Sequence, residues 1–296
     1  MMKQKTEFNL RVVIPTFNRI NDLLDCLESL EKAGIQREQI IVVDNNSQDE
    51  TVQKMWEAFP EVTLIALEEN KGATGASNAG FKEALDQDAD FVLRLDSDTI
   101  VAPDFMDKLL AHAQDNPKVG IFAPKIYYFD PPDEIWYAGA DTHPWHFGTA
   151  HGHRHEKDTP DNSQLREVDY AWGAAMLIRA EVLKKTDGFD EDFFVYYEEV
   201  DFCQRVHKLG YKILFIPEAK VWHKVGSSAN NAWTAYHWNR SKMLLYRKQA
   251  RNIFHRLSLI LYAFAYALIS PLIKGKNGNR GPLNKALEGL FSGLTK

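Results

Sequence analysis

The first hundred residues alternate short apolar runs with amphipathic stretches, and this alternation restricts the possible folds more than any other feature of the chain. The apolar runs at 11–15 and 40–44 flank residues 21–33, where leucines recur at helical spacing. Predicted helices and strands then continue to alternate at 51–59, 62–66, 75–85 and 91–95. Because strands joined through helices pair in parallel, we predict an α/β fold with a Rossmann-like, mostly parallel central sheet.

Two acids directly follow the run at 91–95. Asp96 and Asp98, separated by Ser97, therefore lie at the carboxyl end of a predicted strand, where open α/β sheets bind ligands. Two carboxylates there would provide an oxygen-rich site for a hard divalent cation, which usually accompanies a phosphate. The alternative is that these residues simply cap the next helix. Other polar residues at predicted strand ends, Thr16 and Asp44, favour the ligand site.

The second half of the chain departs from this regular alternation. We predict a helix at 103–114, a strand at 119–128, a loop-rich stretch at 130–165, one strand at 168–178, helices at 180–184 and 198–209, and a strand at 211–217. We see no repeat or low-complexity linker between the halves, so we expect them to share one sheet. The predicted division is a catalytic domain at 1–228, with halves at 1–101 and 102–228, and a helical extension at 229–296.

Charge is distributed unevenly along the 296 residues. The net charge is −6, but 11 of the 35 Lys and Arg residues and only one of the 41 acidic residues lie from Arg240 onward. An acidic body with a basic tail is not typical of a nucleic-acid-binding protein and indicates that the tail meets an anionic partner. Cys26 and Cys203 fall in predicted helices and the amino terminus lacks a signal-peptide pattern, so we expect a cytoplasmic protein with reduced thiols.

The basic tail contains an uncharged stretch at 257–273, flanked by Arg251, Arg256, Lys274 and Lys276. It is shorter than the roughly 20 residues of a spanning helix, and Pro271 interrupts it. A buried helix, an oligomer contact and a helix lying in a membrane interface all fit this pattern. We favour peripheral attachment to the inner face of the cell membrane because of the flanking bases, and a homo-oligomer remains possible.

Several ordered motifs resemble the GT-A family 2 glycosyltransferases. They are the run at 13–19 (VIPTFNR), the run at 42–47 (VVDNNS), the run from Asn70 to Asn78, and the triplet at 96–98. Later runs at 173–179, 188–194 and 197–201 resemble the rhamnosyltransferase and galactofuranosyltransferase branch of that family, and the whole resemblance covers about residues 10–225. It implies a GT-A fold and an inverting transfer of a sugar from a nucleoside diphosphate to an acceptor hydroxyl.

The resemblance also implies a metal site. Asp98 is the expected direct ligand, and Asp96 reaches the metal, the donor ribose, or both. His223 corresponds to a metal-binding histidine of the galactofuranosyl branch, and the alternative is that this lone histidine is a structural residue. Either Mn²⁺ or Mg²⁺ fits the carboxylates, and an imidazole ligand favours Mn²⁺.

The expected catalytic base belongs to the pair Glu198 and Glu199 at the start of a predicted helix. In the family this tandem is usually Glu-Asp or Asp-Asp and its second member is the base, which implies Glu199. Because the glutamate is one methylene longer than an aspartate, Glu198 stays a less favoured alternative. The alternative is that the two acids only stabilise the helix dipole and have no catalytic role.

The implied donor site lies in the first half. Asp44 corresponds to an aspartate that binds a pyrimidine ring, which indicates a UDP-sugar or dTDP-sugar. The other residues assigned to donor binding are Pro15, Thr16, Asn18, Arg19, Lys71, Asn78, Asp96 and Ser97. Other branches carry an arginine near Ser77, so we expect this chain to neutralise the donor phosphates with less cationic help.

The expected acceptor residues are Trp172 and Asp169. A flat indole can stack on a sugar ring, although burial of Trp172 in the core is the alternative. The histidine-rich stretch at 143–155 lacks the cysteine partners and the regular spacing of a zinc site, so we interpret it as an acceptor-facing or mobile loop.

The leading functional hypothesis is the transfer of rhamnose from dTDP-rhamnose to a glycan or a polyprenyl-diphosphate-linked acceptor in surface polysaccharide synthesis. UDP-galactofuranose or another UDP-sugar is the alternative donor. A sugar nucleotidyltransferase is an alternative from another class of enzyme. Such enzymes usually have a glycine-rich, arginine-containing loop where this chain has residues 15–18 (PTFN), which disfavours this alternative. A non-catalytic subunit of a polysaccharide-assembly complex is the remaining alternative. We expect no nucleic-acid partner.

Overall fold

The computed structural model describes residues 8–151, 153–225, 231–273 and 282–295. These residues form twelve strands: β1 (Leu10–Thr16), β2 (Ile40–Asp44), β3 (Thr63–Ala66), β4 (Phe91–Leu95), β5 (Thr99–Val101), β6 (Val119–Tyr128), β7 (Ile135–Tyr137), β8 (Ala140–Thr142), β9 (Thr149–His151), β10 (Arg166–Val168), β11 (Ala175–Arg179) and β12 (Lys212–His223). They also form nine α-helices: α1 (Ile20–Lys32), α2 (Thr51–Ala58), α3 (Gly72–Asp86), α4 (Phe105–Asp115), α5 (Ala180–Thr186), α6 (Glu198–Lys208), α7 (Asn231–Gln249), α8 (Ile253–Ile273) and α9 (Leu283–Thr295).

Ten of these strands form one sheet in the order β10-β12-β6-β11-β4-β1-β2-β3, with β5 on β12 and β7 on β6. The pairs of β1 with β2, β1 with β4 and β2 with β3 are all parallel, as predicted. Every residue of β2 and β4 is buried, because helices cover both faces of a parallel sheet. The carboxyl ends of β1, β2 and β4 therefore lie along one edge.

The second half of the sheet is mixed, and the predicted single strand at 168–178 is wrong. It is two strands: β10 pairs with β12 at the sheet edge, whereas β11 runs antiparallel between β4 and β6. The chain must therefore leave the edge and enter the middle of the sheet at residues 169–174. This crossing brings Trp172 and Gly173 to the carboxyl end of β4.

The predicted strand at 211–217 is also longer than expected. β12 runs on to His223 through an irregularity between Ile216 and Lys220. Pro217 lies at this irregularity, where a residue without a backbone N–H is tolerated. His223 is consequently the last residue of a strand, paired with Thr99 of β5, and does not follow a separate loop.

The three carboxy-terminal helices pack on the sheet domain and on each other. Met243, Leu244 and Leu245 of α7 belong to the main hydrophobic core. α9 packs so closely on α7 that a Cβ at Gly289 would collide with the backbone carbonyl of Tyr236. Among the described residues, none of the helices combines the length and the apolarity needed to cross a membrane.

Candidate functional site

A cleft of about 590 Å³ opens at the carboxyl edge of the sheet. It brings together many of the residues that the sequence predicted for catalysis and binding. Those that line it are Arg19, Asp96, Ser97, Asp98, Trp172, Glu198, Glu199 and His223. A smaller adjoining pocket of about 320 Å³ includes Pro15 and Thr16 and shares Asp96 with the cleft.

The candidate metal ligands converge from two strands. The Nε2 atom of His223 lies 3.1 Å from Oδ1 of Asp98 and 4.0 Å from Oδ2 of Asp96. Ligand atoms of all three residues lie within 4.8 Å of one another, and theirs is the one such cluster among the described residues. Two carboxylates and one imidazole form a donor set that fits Mn²⁺ and, less closely, Mg²⁺.

The environment of Asp98 keeps it ionised. Burial opposes the charge, but the hydrogen bond and charge of His223 and the charge of Arg19 outweigh it and lower the pKa of Asp98. The guanidinium of Arg19 donates to Oδ2 of Asp98 at 2.8 Å. Burial works against protonation of His223, yet Asp98 raises the pKa of that imidazole. Asp98 therefore stays anionic, as a carboxylate ligand of a cation must, whereas the imidazole of His223 must lose its proton before it can bind a metal.

Arg94 is a site residue that the sequence interpretation missed. It is 3% exposed, lies in β4 two residues before Asp96, and forms an ion pair with Oδ1 of Asp96 at 2.5 Å. Its guanidinium also bonds to the Gly173 carbonyl and lies 3.5 Å from Oγ of Ser77. β4 therefore places a buried cation near Ser77, which the sequence interpretation did not anticipate. A charged residue inside an otherwise apolar buried strand was the available signal.

Glu198 and Glu199 lie at the first turn of α6, as predicted. The two preceding residues, Tyr196 and Tyr197, have left-handed backbones with φ of 66° and 67°, so the chain turns sharply into the helix. The Oε2 atoms of both glutamates are buried without a hydrogen-bond partner in the described part of the chain. A side chain at Gly173 would begin 3.7 Å from Cβ of Glu199, so the glycine keeps the space beside this glutamate open.

Both glutamates have a raised pKa. Burial is the largest cause for each, and the charge of Glu198 raises the pKa of Glu199 further. The charge of Arg94 acts in the opposite direction on both. A carboxylate whose pKa is raised toward neutrality is a better proton acceptor than an ordinary one. The arrangement can therefore serve general-base catalysis.

Buried polar atoms without partners in the described part of the chain lie where the sequence predicts donor binding. Thr16 and Asp44 are neighbours across β1 and β2, and the buried atoms Oγ1 of Thr16 and Oδ1 of Asp44 have no partner among the described residues. The other oxygen of Asp44 accepts the backbone N–H of Ser47 at 3.0 Å. Asn18 connects the loop after β1 to the loop after β2, since its Oδ1 accepts the Gln48 N–H at 2.7 Å. Buried polar atoms of this kind are usually satisfied by a ligand or water.

Five predicted site residues line neither the cleft nor the adjoining pocket; they are Asn18, Asp44, Lys71, Asn78 and Asp169. Lys71 and Asn78 line a separate groove, and the amide of Asn78 bonds to the backbone N and O of Phe189 at 2.9 and 2.8 Å. Asn78 thus fastens α3 to the loop before α6. Asp169 accepts hydrogen bonds from the backbone N–H and the hydroxyl of Thr142 at 2.9 and 3.2 Å, which fixes β8.

Aromatic side chains form one wall of the cleft, around the predicted acceptor residue Trp172. Trp172 lines the cleft and packs edge-on against Trp136, with ring centroids 5.4 Å apart. Trp233 and Trp238 of α7 line it as well, and Trp238 packs 4.9 Å from the ring of Tyr197. These α7 residues were missed, because the sequence interpretation of this helix rested on its basic residues.

The first part of the histidine-rich stretch, from His143 to His146, does not line the cleft. Nε2 of His255 in α8 lies 2.7 Å from the carbonyl of Trp145, and His146 stacks on Tyr262 of α8 at 5.2 Å between centroids. The expectation of an acceptor-facing loop was therefore wrong for His143 to His146, which pack against α8. None of the described histidines of this stretch belongs to a three-ligand cluster.

Comparisons with known proteins agree with this geometry. The profile of the family described as Glycosyl transferase family 2 matches residues 11–187. The N-acetylglucosaminyl-diphospho-decaprenol L-rhamnosyltransferase of Mycobacterium tuberculosis is 27% identical over 236 residues, which cover 72% of this chain and 75% of the relative. The dTDP-rhamnosyl transferase RfbF of Shigella flexneri is 25% identical over 222 residues, covering 75% and 71%.

Solved structures with the same fold are more distant in sequence. The crystal structure of GalNAc-T7 with UDP, GalNAc and Mn²⁺ matches with a TM-score of 0.65 and 16% identity, covering 99% of this chain and 58% of that one. The mannosyltransferase PcManGT from Pyrobaculum calidifontis, in complex with GDP-Man and Mn²⁺, matches with a TM-score of 0.57 and 18% identity, covering 98% and 76%. These similarities confirm the predicted GT-A fold.

Proposed function

The chain belongs to glycosyltransferase family 2 and is a glycosyltransferase, and from this premise we propose that it is a metal-dependent, inverting enzyme. The observation that carries the proposal is the meeting, in one cleft, of the Asp96, Asp98 and His223 cluster with the buried glutamates. A sugar nucleotidyltransferase and a non-catalytic subunit, the two alternatives from the sequence, find no support in the family match.

The proposed mechanism gives each side chain one task. Asp98 and His223, with Asp96, would hold Mn²⁺ or Mg²⁺, which when bound neutralises the charge that develops on the leaving diphosphate. Glu199 takes the proton of the acceptor hydroxyl as that oxygen forms a bond to the anomeric carbon. The bond from this carbon to the diphosphate oxygen breaks, the diphosphate leaves with the electron pair, and the anomeric configuration inverts.

The proposed donor is dTDP-rhamnose, with UDP-galactofuranose or another UDP-sugar as the alternative. Two relatives named as rhamnosyltransferases support this choice. The unpaired oxygens of Thr16 and Asp44 would suit the polar edge of a pyrimidine ring. The aromatic wall of the cleft would also suit the C6 methyl group of a deoxyhexose.

The proposed acceptor is a hydroxyl of a glycan or of a polyprenyl-diphosphate-linked sugar, in surface polysaccharide synthesis. One relative's name specifies N-acetylglucosaminyl-diphospho-decaprenol. The decisive experiment incubates the purified protein with a panel of dTDP-sugars and UDP-sugars, Mn²⁺ or Mg²⁺, and a synthetic N-acetylglucosaminyl-diphospho-lipid. We expect release of dTDP from dTDP-rhamnose only when metal and acceptor are both present, and a product of inverted anomeric configuration by NMR. No turnover with any donor, undiminished turnover in EDTA, or a retained configuration would contradict the proposal.

We also propose peripheral attachment to the inner face of the cell membrane through α8. Its exposed apolar residues Phe254, Leu257, Leu261 and Leu268 recur at helical spacing on one face, and Phe254 is 80% exposed. We expect the protein to float with vesicles that contain anionic lipid, and Phe254→Ser with Leu261→Ser to abolish flotation. Unchanged flotation, or conversion of a dimer to a monomer by the two changes, would instead favour a homo-oligomer or another surface.

A further inference from the structure

Arg154 differs from the other two arginines of the cleft. Arg19 and Arg94 each form an ion pair with a carboxylate, Asp98 and Asp96 respectively. Arg154 lines the same cleft, and its guanidinium pairs with no carboxylate in the part of the chain that the structure describes. A cation that faces a cleft without a carboxylate partner is available to bind an anionic ligand.

The guanidinium of Arg154 is held in a fixed position. It lies 3.8 Å from the centroid of the Trp136 ring, and its Nε donates to the hydroxyl of Tyr128 at 3.1 Å. Tyr128 in turn packs edge-on against Trp136 at 5.0 Å. Stacking on Trp136 and this single hydrogen bond fix the plane of the Arg154 guanidinium. They leave the two terminal nitrogens for a bidentate contact with phosphate oxygens.

The segment that follows Arg154 is fastened to the sheet at two points. The backbone N–H of His155 donates to the carbonyl of Ile135 at 2.9 Å. Further along, the buried amine of Lys125 bonds to Asp158 and to Ser163 at 2.6 Å each. The position of Arg154 is therefore built into the fold before any ligand arrives, which lowers the entropy cost of binding.

A continuous row of side chains connects the proposed base to Arg154. Glu199 lies beside Gly173, the neighbouring Trp172 packs edge-on against Trp136, and Arg154 covers the face of Trp136. A sugar whose hydroxyl reaches Glu199 would lie along the two indoles. Its reducing end, where an acceptor sugar is joined to its carrier, would then point toward Arg154.

We propose that Arg154, stacked on Trp136, binds the diphosphate that joins the acceptor sugar to its lipid carrier. This inference rests on the proposed transfer to a lipid-diphosphate-linked sugar and adds the residue that recognises the acceptor's charge. The donor also carries a diphosphate, and the ring of Trp136 lies 5.8 Å from that of His223. We commit to the acceptor because the candidate ligands Asp96, Asp98 and His223 already provide a cation site for the donor's diphosphate.

The test compares two acceptors with the same N-acetylglucosamine and the same alkyl chain, joined through a diphosphate in one and through a neutral glycosidic bond in the other. We expect wild type to have the higher kcat/KM with the diphosphate acceptor. Arg154→Ala should lower the ratio of the two kcat/KM values by about 10- to 100-fold, the usual effect of losing charge-assisted hydrogen bonds. Arg154→Lys should fall between, because it keeps the charge without the planar fork.

The matched control is Lys157→Ala, which removes a positive charge from the same segment; this side chain is 63% exposed and pairs with Asp133. It should leave the ratio unchanged. An equal loss with both acceptors would make Arg154 merely structural, and a raised KM for the donor would assign it to the donor's diphosphate. Either result overturns the proposal.

A binding measurement separates this proposal from the proposed function. Calorimetric titration with the diphosphate acceptor, without donor, should show an affinity about 10- to 100-fold weaker for Arg154→Ala than for wild type. If wild type turns over neither acceptor, the transfer reaction as proposed fails, yet the titration still decides the role of Arg154. Equal affinities of the two proteins would refute that role.

Discussion

The cleft contains two pairs of carboxylates in opposite environments. Asp96 and Asp98 each bond to a guanidinium, and the pKa of Asp98 is lowered. Glu198 and Glu199 have buried oxygens without hydrogen-bond partners among the described residues, and the pKa of each is raised. The environments thus match the two proposed tasks, since a carboxylate that binds a metal must stay anionic while a base must accept a proton.

Arg94 connects the two pairs. It bonds directly to Asp96, and its charge favours the ionised forms of both glutamates. Because Arg94 is buried, its charge is poorly screened by solvent and acts over the whole width of the cleft. The electrostatic difference between the two pairs of carboxylates therefore depends on Arg94, which interacts with both pairs.

Removing the proposed base should have the largest effect. We expect Glu199→Gln to lower the transfer rate by about 10²- to 10⁴-fold, the usual contribution of a general base, since the amide cannot take the acceptor's proton. The affinity for the nucleoside diphosphate with Mn²⁺ should remain close to that of wild type, because the Asp96 and Asp98 side of the cleft is untouched. Steady-state transfer assays and calorimetric titration with the nucleotide measure the two quantities.

Glu198→Gln is the matched control for this prediction, as it makes the same chemical change one residue earlier in α6. We expect a smaller loss of rate from it. The reverse order, with Glu198→Gln inactive and Glu199→Gln active, would transfer the base to Glu198 and leave the comparison of the two pairs intact. Loss of nucleotide binding in Glu199→Gln would contradict the comparison, because the glutamates and the aspartates would then not have separate roles.

Removing Arg94 should have a smaller effect that depends on pH. Without this cation the pKa of Glu199 rises further, so the base requires a more alkaline solution to be ionised. We expect Arg94→Met to move the acid limb of the pH profile of kcat/KM upward by about one pH unit. Arg94→Lys keeps the charge and should keep the limb near that of wild type. A limb that stays in place in Arg94→Met would show that Arg94 acts on Asp96 alone.

The parallel half of the fold was predictable from the sequence because its signals are local. The buried strands β2 and β4 are continuous apolar runs, and the leucines of α1 recur at helical spacing. The insertion of β11 between β4 and β6 was not predictable, since it depends on pairing between strands that are distant in the sequence. A continuous apolar run does not specify which strand will be its neighbour.

The residues of the candidate site also divide into those that local sequence signals predict and those that depend on contacts between distant segments. Asp96, Asp98, Glu199 and His223 were identified through motifs that lie at strand or helix ends, and the fold brings them together. Arg94, Trp136 and Trp233 were missed, because only the packing of distant segments brings them to the cleft. Motifs thus identify residues whose task depends on local geometry, and side chains that act across elements require the structure.

The smallest expected effect concerns stability and tests the environment of the glutamates without any substrate. In the unfolded chain Glu198 and Glu199 release their carboxyl protons at about pH 4.3, whereas the folded protein retains these protons to higher pH because the pKa of each glutamate is raised. The unfolding free energy should therefore fall as pH rises from 5 to 8, by about 1.4 kcal/mol for each pH unit that separates the folded and unfolded pKa values. Since 1 kcal/mol corresponds to about 2 to 4 °C in Tm for a large domain, each pH unit of separation corresponds to about 3 to 6 °C, and Glu198→Gln should melt above wild type by at least this amount at pH 8 but not at pH 5.

The exposed Glu57 provides the control, because Glu57→Gln should leave the difference between the two pH values unchanged. Parallel melting curves for wild type and Glu198→Gln across this range would mean that the glutamates are not held protonated by burial, and the contrast with the aspartates would disappear.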